Sequence, residues 1–239
     1  MKISGGKPAD YGQELVKRRF RLTSKRIKLE GKKMLDFGCG NGAQTLEFAN
    51  SKCTIDAVDI NKKAVKILKD FAFIHNLNNI NARNYDGKKL PLNSNSIDVV
   101  ISFEVLEHVE NEVESLSEIY RVLKPKGELV ISVPNKWWIF DTHGAYLPVL
   151  PWNRVPFFSW LPRFIHNKFA KARIYKKHQI IKLLERNSLK VISSTYVTAP
   201  MDVTKNYLIK KYFRKLIFRG DETKCAFKST AILVHAQKN

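Results

Sequence analysis

Glu104, Glu107 and His108 put two carboxylates and an imidazole within five residues, directly after the apolar run Ile97 to Phe103. Such a set suits a hard or borderline divalent ion such as Mg²⁺ or Zn²⁺. A second group lies earlier in the chain. Asp36 closes an apolar stretch, Gly38, Gly40 and Gly42 follow at alternate positions around Cys39, and a helical pattern from Ala43 to Ala49 begins at once. The backbone must turn sharply there beneath a helix N-terminus, where glycine tolerates positive φ and lets a ligand lie against the main chain. Asp59 stands 21 residues after Gly38, at the end of the apolar stretch Cys53 to Val58 and just before Ile60. An acid so placed can hold both hydroxyls of a ribose; the plainer alternative is a cap for the helix that starts at Asn61.

The elements that must position these groups are legible as alternating periodicities. Strand, glycine turn, helix, strand and acid make one nucleoside-binding half of a doubly wound α/β sheet. Lys62 to Ile74 carries Ala64, Val65, Ile67, Leu68, Phe71 and Ile74 at helical spacing, and Asn79 to Asn84 reads as a third strand ahead of Tyr85-Asp86-Gly87. Ile97 to Phe103 is a fourth strand, apolar enough to be covered on both faces. Glu112 to Leu123 is a helix turning Val113, Leu116, Ile119, Tyr120 and Leu123 inward, ended by Lys124-Pro125-Lys126-Gly127, and Glu128 to Val133 is a fifth strand. Tyr175 to Arg186 reads as an amphipathic helix, Leu189 to Thr198 as a sixth strand and Thr230 to Ala236 as a seventh.

The runs L-D-F-G-C-G-N-G, V-D-I-N, Y-D-G-K-K-L-P-L-N-S-N-S-I-D-V-V-I-S-F-E-V-L-E-H-V and L-K-P-K-G-E-L-V-I-S-V-P-N, in that order between Lys33 and Asn135, resemble the class I S-adenosylmethionine-dependent methyltransferases. Within them the chain is similar to the branch of the ubiquinone-biosynthesis O-methyltransferases. The resemblance implies a Rossmann-like doubly wound sheet of seven strands, with strands six and seven forming an antiparallel edge. It implies that Asp36, Gly38 and Gly40 hold the methionine part of S-adenosylmethionine, that Asp59 receives the ribose, and that Cys39, Gly42 and Ile60 complete the cofactor site. Asp86 would accept from the adenine amine beside Gly87, with a simple Asp-Gly turn as the alternative, and Phe103 and Glu104 would lie near the sulfonium. In this branch, and in small-RNA 2′-O-methyltransferases, E-x-x-E-H also serves as a metal-ligand pattern, which would make Glu104, Glu107 and His108 ligands.

The charge is unevenly spread. Of the formal +20, residues 1–33 carry 11 basic and 3 acidic side chains, residues 34–135 carry 11 and 14, and residues 136–239 carry 20 and 5. The flanks therefore face solvent or something anionic: a phosphate-bearing substrate, a nucleic acid or a lipid surface. No apolar run approaches the ~20 residues of a membrane span, and no basic-then-apolar leader opens the sequence, so a cytoplasmic protein, peripheral at most to a membrane, is expected. Cys39, Cys53 and Cys225 leave an odd count without paired spacing, which favours free thiols.

Four tryptophans, Trp137, Trp138, Trp152 and Trp160, fall within 24 residues, mixed with other aromatics and broken by Pro148, Pro151 and Pro156 with Pro162 just beyond, as an insertion after the fifth strand. It could wall an apolar substrate pocket, dip into a membrane interface, stack RNA bases, or form a satellite core. If the acceptor of the methyl group is a hydroxyl, its proton needs a base. His143, in Asp141-Thr142-His143-Gly144, is the first candidate, ahead of His166 and His178. The basic stretch Lys205 to Arg219, with Tyr207, Leu208, Ile209, Tyr212, Phe213, Leu216, Ile217 and Phe218, suits an amphipathic helix lying on an anionic membrane or against the insertion. The expected organisation is a basic helical segment over residues 1–32, a cofactor core over 33–135, an aromatic cap over 136–175 and the rest of the sheet over 176–239, with a basic amphipathic segment at 200–222. The expected reaction is O-methylation of an amphiphilic or anionic small molecule, with RNA 2′-O-methylation and a non-catalytic binding module as the alternatives.

Overall fold

The computed structural model describes residues 13–140, 156–170, 172–202, 204 and 206–239. The chain opens with helix α1 (Glu14–Arg26), followed by β1 (Lys33–Phe37), α2 (Ala43–Phe48), β2 (Thr54–Asp59), α3 (Lys62–Ile74), β3 (Ile80–Asn84) and β4 (Ile97–Phe103). Next come α4 (Glu112–Val122), β5 (Leu123–Pro134), the short helix α5 (Arg163–Phe169), α6 (Lys177–Arg186), β6 (Leu189–Thr198), α7 (Tyr207–Leu216), β7 (Glu222–Thr223) and β8 (Ser229–Lys238).

The strands form one sheet in the order β3-β2-β1-β4-β5-β8-β6-β7. β3 through β5 pair in parallel, whereas β8 runs antiparallel to both β5 and β6. The sheet has eight strands where seven are expected, and the difference is the two-residue β7, which pairs with β6 through Tyr196 and Val197. Two residues offer no periodicity from which to read a strand. β5 also starts earlier than expected: Leu123 already pairs with Ile97, and Lys124 to Gly127 then bulge out before Glu128 pairs with Val99.

Apolar side chains cover both faces, as parallel strands require. One face buries Leu35, Val100, Leu116, Ile119, Ile131 and Leu184; the other buries Met34, Phe48, Ile55, Val99, Ile101 and Leu233. The helices dock narrower stripes than their periodicity suggests. α3 buries Val65, Leu68 and Ala72 and leaves Ile74 exposed, and α4 buries Leu116, Ile119 and Val122 but not Val113. Asn61 and Asn111 cap α3 and α4, each accepting two backbone N–H bonds at its helix start. The sheet order reverses between β1 and β4, and the carboxyl ends of strands at such a switch point are where open α/β sheets bind their ligands.

α1 is not a solvent-facing helix. Phe20 meets Phe48 of α2 edge-on at 5.0 Å, and the buried Arg18 donates to the carbonyls of Thr198 at 2.7 Å and Ala199 at 3.2 Å. α1 is thereby strapped to the segment that follows β6.

Candidate active site

The glycine turn is shaped by three left-handed backbones in a row of alternate residues: φ is +81° at Gly38, +53° at Gly40 and +89° at Gly42. Two of them are also sterically obliged to be glycine. A Cβ at Gly38 would run into the side chain of Val105, and one at Gly42 into that of Leu68. At Gly40 a Cβ would meet nothing within 4 Å, so the main chain there lies open on one side. That open side is where a ligand can rest against the backbone.

Asp59 faces this turn. Its Oδ2 accepts from Gly40 N–H at 2.8 Å and its Oδ1 from Asn61 N–H at 2.8 Å. The capping of α3 itself falls to Asn61, so the cap reading of Asp59 is only the second of its two bonds. Each carboxylate oxygen keeps lone-pair capacity for a further donor. Ile60, next to it, is 65% exposed, and a Cβ on Gly87 would touch its Cγ2 at 3.4 Å. Asp86 lies at the rim, where its Oδ1 accepts from the N–H groups of Lys88 at 2.9 Å and Lys89 at 3.1 Å, which holds its carboxyl below the usual range. Asp86 thus makes the Asp-Gly turn, and its second oxygen is the part that can address a ligand.

Asp36 is buried at the end of β1 and accepts from Thr45 Oγ1 at 2.6 Å. Burial pushes its carboxyl up to about 7, opposed by the Thr45 bond and assisted by the nearby Asp59. Cys39 lies buried in the same turn, its thiol shifted up by burial and then by Asp36.

At the end of β4, Glu104 adopts φ +58°, an uncommon conformation for a residue with a side chain. Its N–H donates to Ser132 O at 2.9 Å, and its Oε1 accepts from Arg19 Nη2 at 2.6 Å and from Ser132 Oγ at 3.3 Å. The Arg19 guanidinium also sits 5.7 Å from the centre of the Phe103 ring. Glu107 is buried against this pair; burial, then Glu104, raises its carboxyl well above the ordinary value. His108, by contrast, is exposed. No three His, Cys, Asp or Glu side chains among the described residues converge as a metal would need. Of the expected metal triad, Glu107 is buried, Glu104 is partly buried and His108 is exposed, and the cation beside the Glu104 carboxylate is the Arg19 guanidinium.

Arg19 is the residue that the sequence did not disclose. It belongs to the basic run Lys17-Arg18-Arg19, and nothing in its spacing separates it from the exposed Arg21. His143 lies outside the described residues. His166 is fully buried and lies 4.9 Å from Phe158, which makes it part of a core, and His178 is exposed on α6. The cap's described aromatics form a satellite cluster: Trp138 meets Phe218 at 5.9 Å, while Trp137 and Trp160 meet Phe227 at 5.8 and 5.7 Å.

The carboxyls give a pH dependence with a definite sign. Asp36 is neutral in the folded chain up to about pH 7, whereas an unfolded aspartate releases its proton near pH 4. Between those values the native chain holds a proton that the unfolded chain has lost, so stability falls as pH rises. Glu107 acts in the same direction. The ligand-free protein is expected to melt at a lower temperature at pH 7 than at pH 5, and Asp36→Asn to flatten that slope, in thermal melts followed by circular dichroism. An unchanged slope in the variant would remove Asp36 from the account.

A family model described as a methyltransferase domain matches residues 35–131. The ubiquinone biosynthesis O-methyltransferase of Bartonella bacilliformis is 27% identical over 168 residues, which cover 70% of this chain and 64% of that protein. That of Coxiella burnetii is 25% identical over 199 residues, covering 80% of this chain and 81% of the relative. The chain thus spans somewhat under two thirds of the first relative and about four fifths of the second. A solved structure of a SAM dependent methyltransferase from Aquifex aeolicus aligns over 98% of this chain and all of its own, with a TM-score of 0.64 at 15% identity, a likeness of fold. The chain thus carries a methyltransferase domain over residues 35–131, on a fold similar to that of a solved S-adenosylmethionine-dependent methyltransferase.

Proposed function

We propose that the chain methylates an oxygen of an amphiphilic or anionic small molecule, lipid-linked or isoprenoid-like, and that the crevice at the ends of β1, β2 and β4 is its cofactor site. The observation that carries the cofactor assignment is the open backbone at Gly40 held by Asp59, with the exposed Ile60 and Gly87 beside it. When bound, S-adenosylmethionine supplies an electrophilic methyl group on a sulfonium. Asp59 would take the ribose hydroxyls, Ile60 and Gly87 the adenine faces, and the free oxygen of Asp86 its amine. Asp36 and the turn Gly38, Cys39, Gly40 and Gly42 would hold the methionine part. Phe103 and Glu104 would face the reacting methyl, with Arg19 as the positioning residue that fixes the Glu104 carboxylate.

Displacement at a methyl carbon needs alignment above all, and a site built on strand ends and a rigid turn supplies it. His143 stays the proposed base for the acceptor hydroxyl. The acceptor class is supported by the names of the relatives and by the aromatic residues Trp137, Phe140, Phe157 and Trp160, which give the cap partly exposed apolar surface. The RNA reading loses one of its two supports, because Glu104, Glu107 and His108 do not converge. Incubation of the protein with methyl-labelled cofactor and a cell extract, followed by phase separation, tests the proposal. Label is expected in the organic phase, and label confined to the RNA would overturn it.

A further inference from the structure

α7 buries none of its residues, although six of its ten are Tyr, Leu, Ile or Phe. Leu208, Tyr212 and Leu216, spaced four apart and so on one side of the helix, are 72%, 62% and 57% exposed. Ile209 continues the stripe on one flank, and Lys211 and Lys215 line the other. The helix is nonetheless firmly mounted. Asn206 caps its start by accepting from Leu208 and Ile209 N–H, and Arg214 on the far side donates to Pro200 O at 2.7 Å and to Asp202 Oδ1 at 2.8 Å. Its outward face is therefore a fixed surface of the folded chain.

We propose that α7 is a docking helix for an anionic membrane surface, setting Leu208, Tyr212 and Leu216 into the headgroup boundary with Lys211 and Lys215 beside them. The charge favours this occupant. The part of the chain from residue 136 onward carries 20 basic against 5 acidic side chains, so α7 lies in a field that attracts anionic headgroups. The long stems of lysine let the ammonium groups reach those headgroups while the stripe beside them leaves water. A second copy of the chain is a poorer fit, since a two-fold pairing of this face would oppose its own lysines.

The placement matters for the site. β6 runs parallel to β5, because both pair antiparallel with β8, so the segment after β6 that bears α7 emerges at the same edge as the crevice. Asp202 also accepts from Leu15 N–H at 3.2 Å, so α7 shares its mount with α1, the helix that brings Arg19 to Glu104. A chain lying on a membrane through α7 would hold its cofactor crevice near the lipid, where an amphiphilic acceptor resides. That last link rests on the proposed acceptor; the docking itself does not.

Co-sedimentation of the full chain with vesicles tests the docking, using phosphatidylcholine alone and an equimolar mixture with phosphatidylglycerol at low and high salt. The wild type is expected to pellet with the anionic vesicles and to be released by salt. Leu208→Ser with Leu216→Ser, and separately Lys211→Glu with Lys215→Glu, are expected to weaken that binding about tenfold or more, with unchanged circular dichroism and unchanged affinity for S-adenosylhomocysteine. Failure of the wild type to pellet, equal binding to neutral vesicles, or wild-type binding by the leucine variant would each overturn the proposal. Retention on single-stranded RNA without retention on vesicles would overturn it in favour of a nucleic-acid surface. Because cofactor affinity is measured separately, loss of docking and loss of the methyltransferase reading are distinguishable.

Discussion

Gly38→Ala is expected to destabilise the fold by about 2–5 kcal/mol, from the left-handed backbone and the overpacking together. The backbone at this position sits at φ +81°, and the new methyl group would occupy the space of the Val105 side chain. Val105 cannot easily retreat, since it packs against the main core cluster and follows the constrained Glu104. The Gly38 N–H also donates to Val58 O at 2.8 Å, tying the turn to β2, so a shift there would disturb the approach of Asp59 as well. With a total stability of about 5–15 kcal/mol usual for a domain, the variant should melt several degrees lower. Gly40→Ala provides the contrast: its methyl meets no protein atom within 4 Å, so it should cost far less stability and act mainly by filling the ligand's side of the turn. Thermal melts of the two variants check the pair, and equal melting temperatures would contradict the account.

Asp59→Ala is expected to weaken S-adenosylhomocysteine binding by roughly 100-fold or more, since hydrogen bonds to a charged group contribute about 1.5–3 kcal/mol each and two hydroxyls would lose their acceptor. The alanine also removes the acceptor for Gly40 and Asn61 N–H, which loosens the open face of the turn. Asp59→Asn keeps one acceptor oxygen and removes the charge, so it should fall between alanine and wild type. Calorimetry resolves the three. An alanine variant that binds as tightly as the wild type would take the ribose away from Asp59.

Most of the sheet was legible because its strands are buried on both faces and read as short apolar runs. α3, β4 and β6 lie where their periodicity put them, Lys62–Ile74, Ile97–Phe103 and Leu189–Thr198. The glycine turn was legible for a different reason, since three glycines at alternate positions have few explanations besides a strained turn. What remained hidden depends on partners far away in sequence. β7 exists because Val197 and Tyr196 offer an edge, and Arg19 reaches Glu104 across 85 positions. The metal reading turns on direction as well as spacing: E-x-x-E-H fixes how far apart the side chains attach, while the left-handed Glu104 and its arginine bear on where they point. Lys238 is a similar case. Its Nζ donates to the carbonyls of Tyr120 and Leu123 and to Asn95 Oδ1, all more than a hundred positions away.

Isothermal titration of the wild-type chain with S-adenosylhomocysteine, without added metal, tests most directly the claim that this crevice is a cofactor site. The account predicts one site per chain with a micromolar dissociation constant, indifferent to Mg²⁺ or Zn²⁺ because Arg19 already neutralises Glu104. No detectable binding, or binding that appears only with metal, would contradict it.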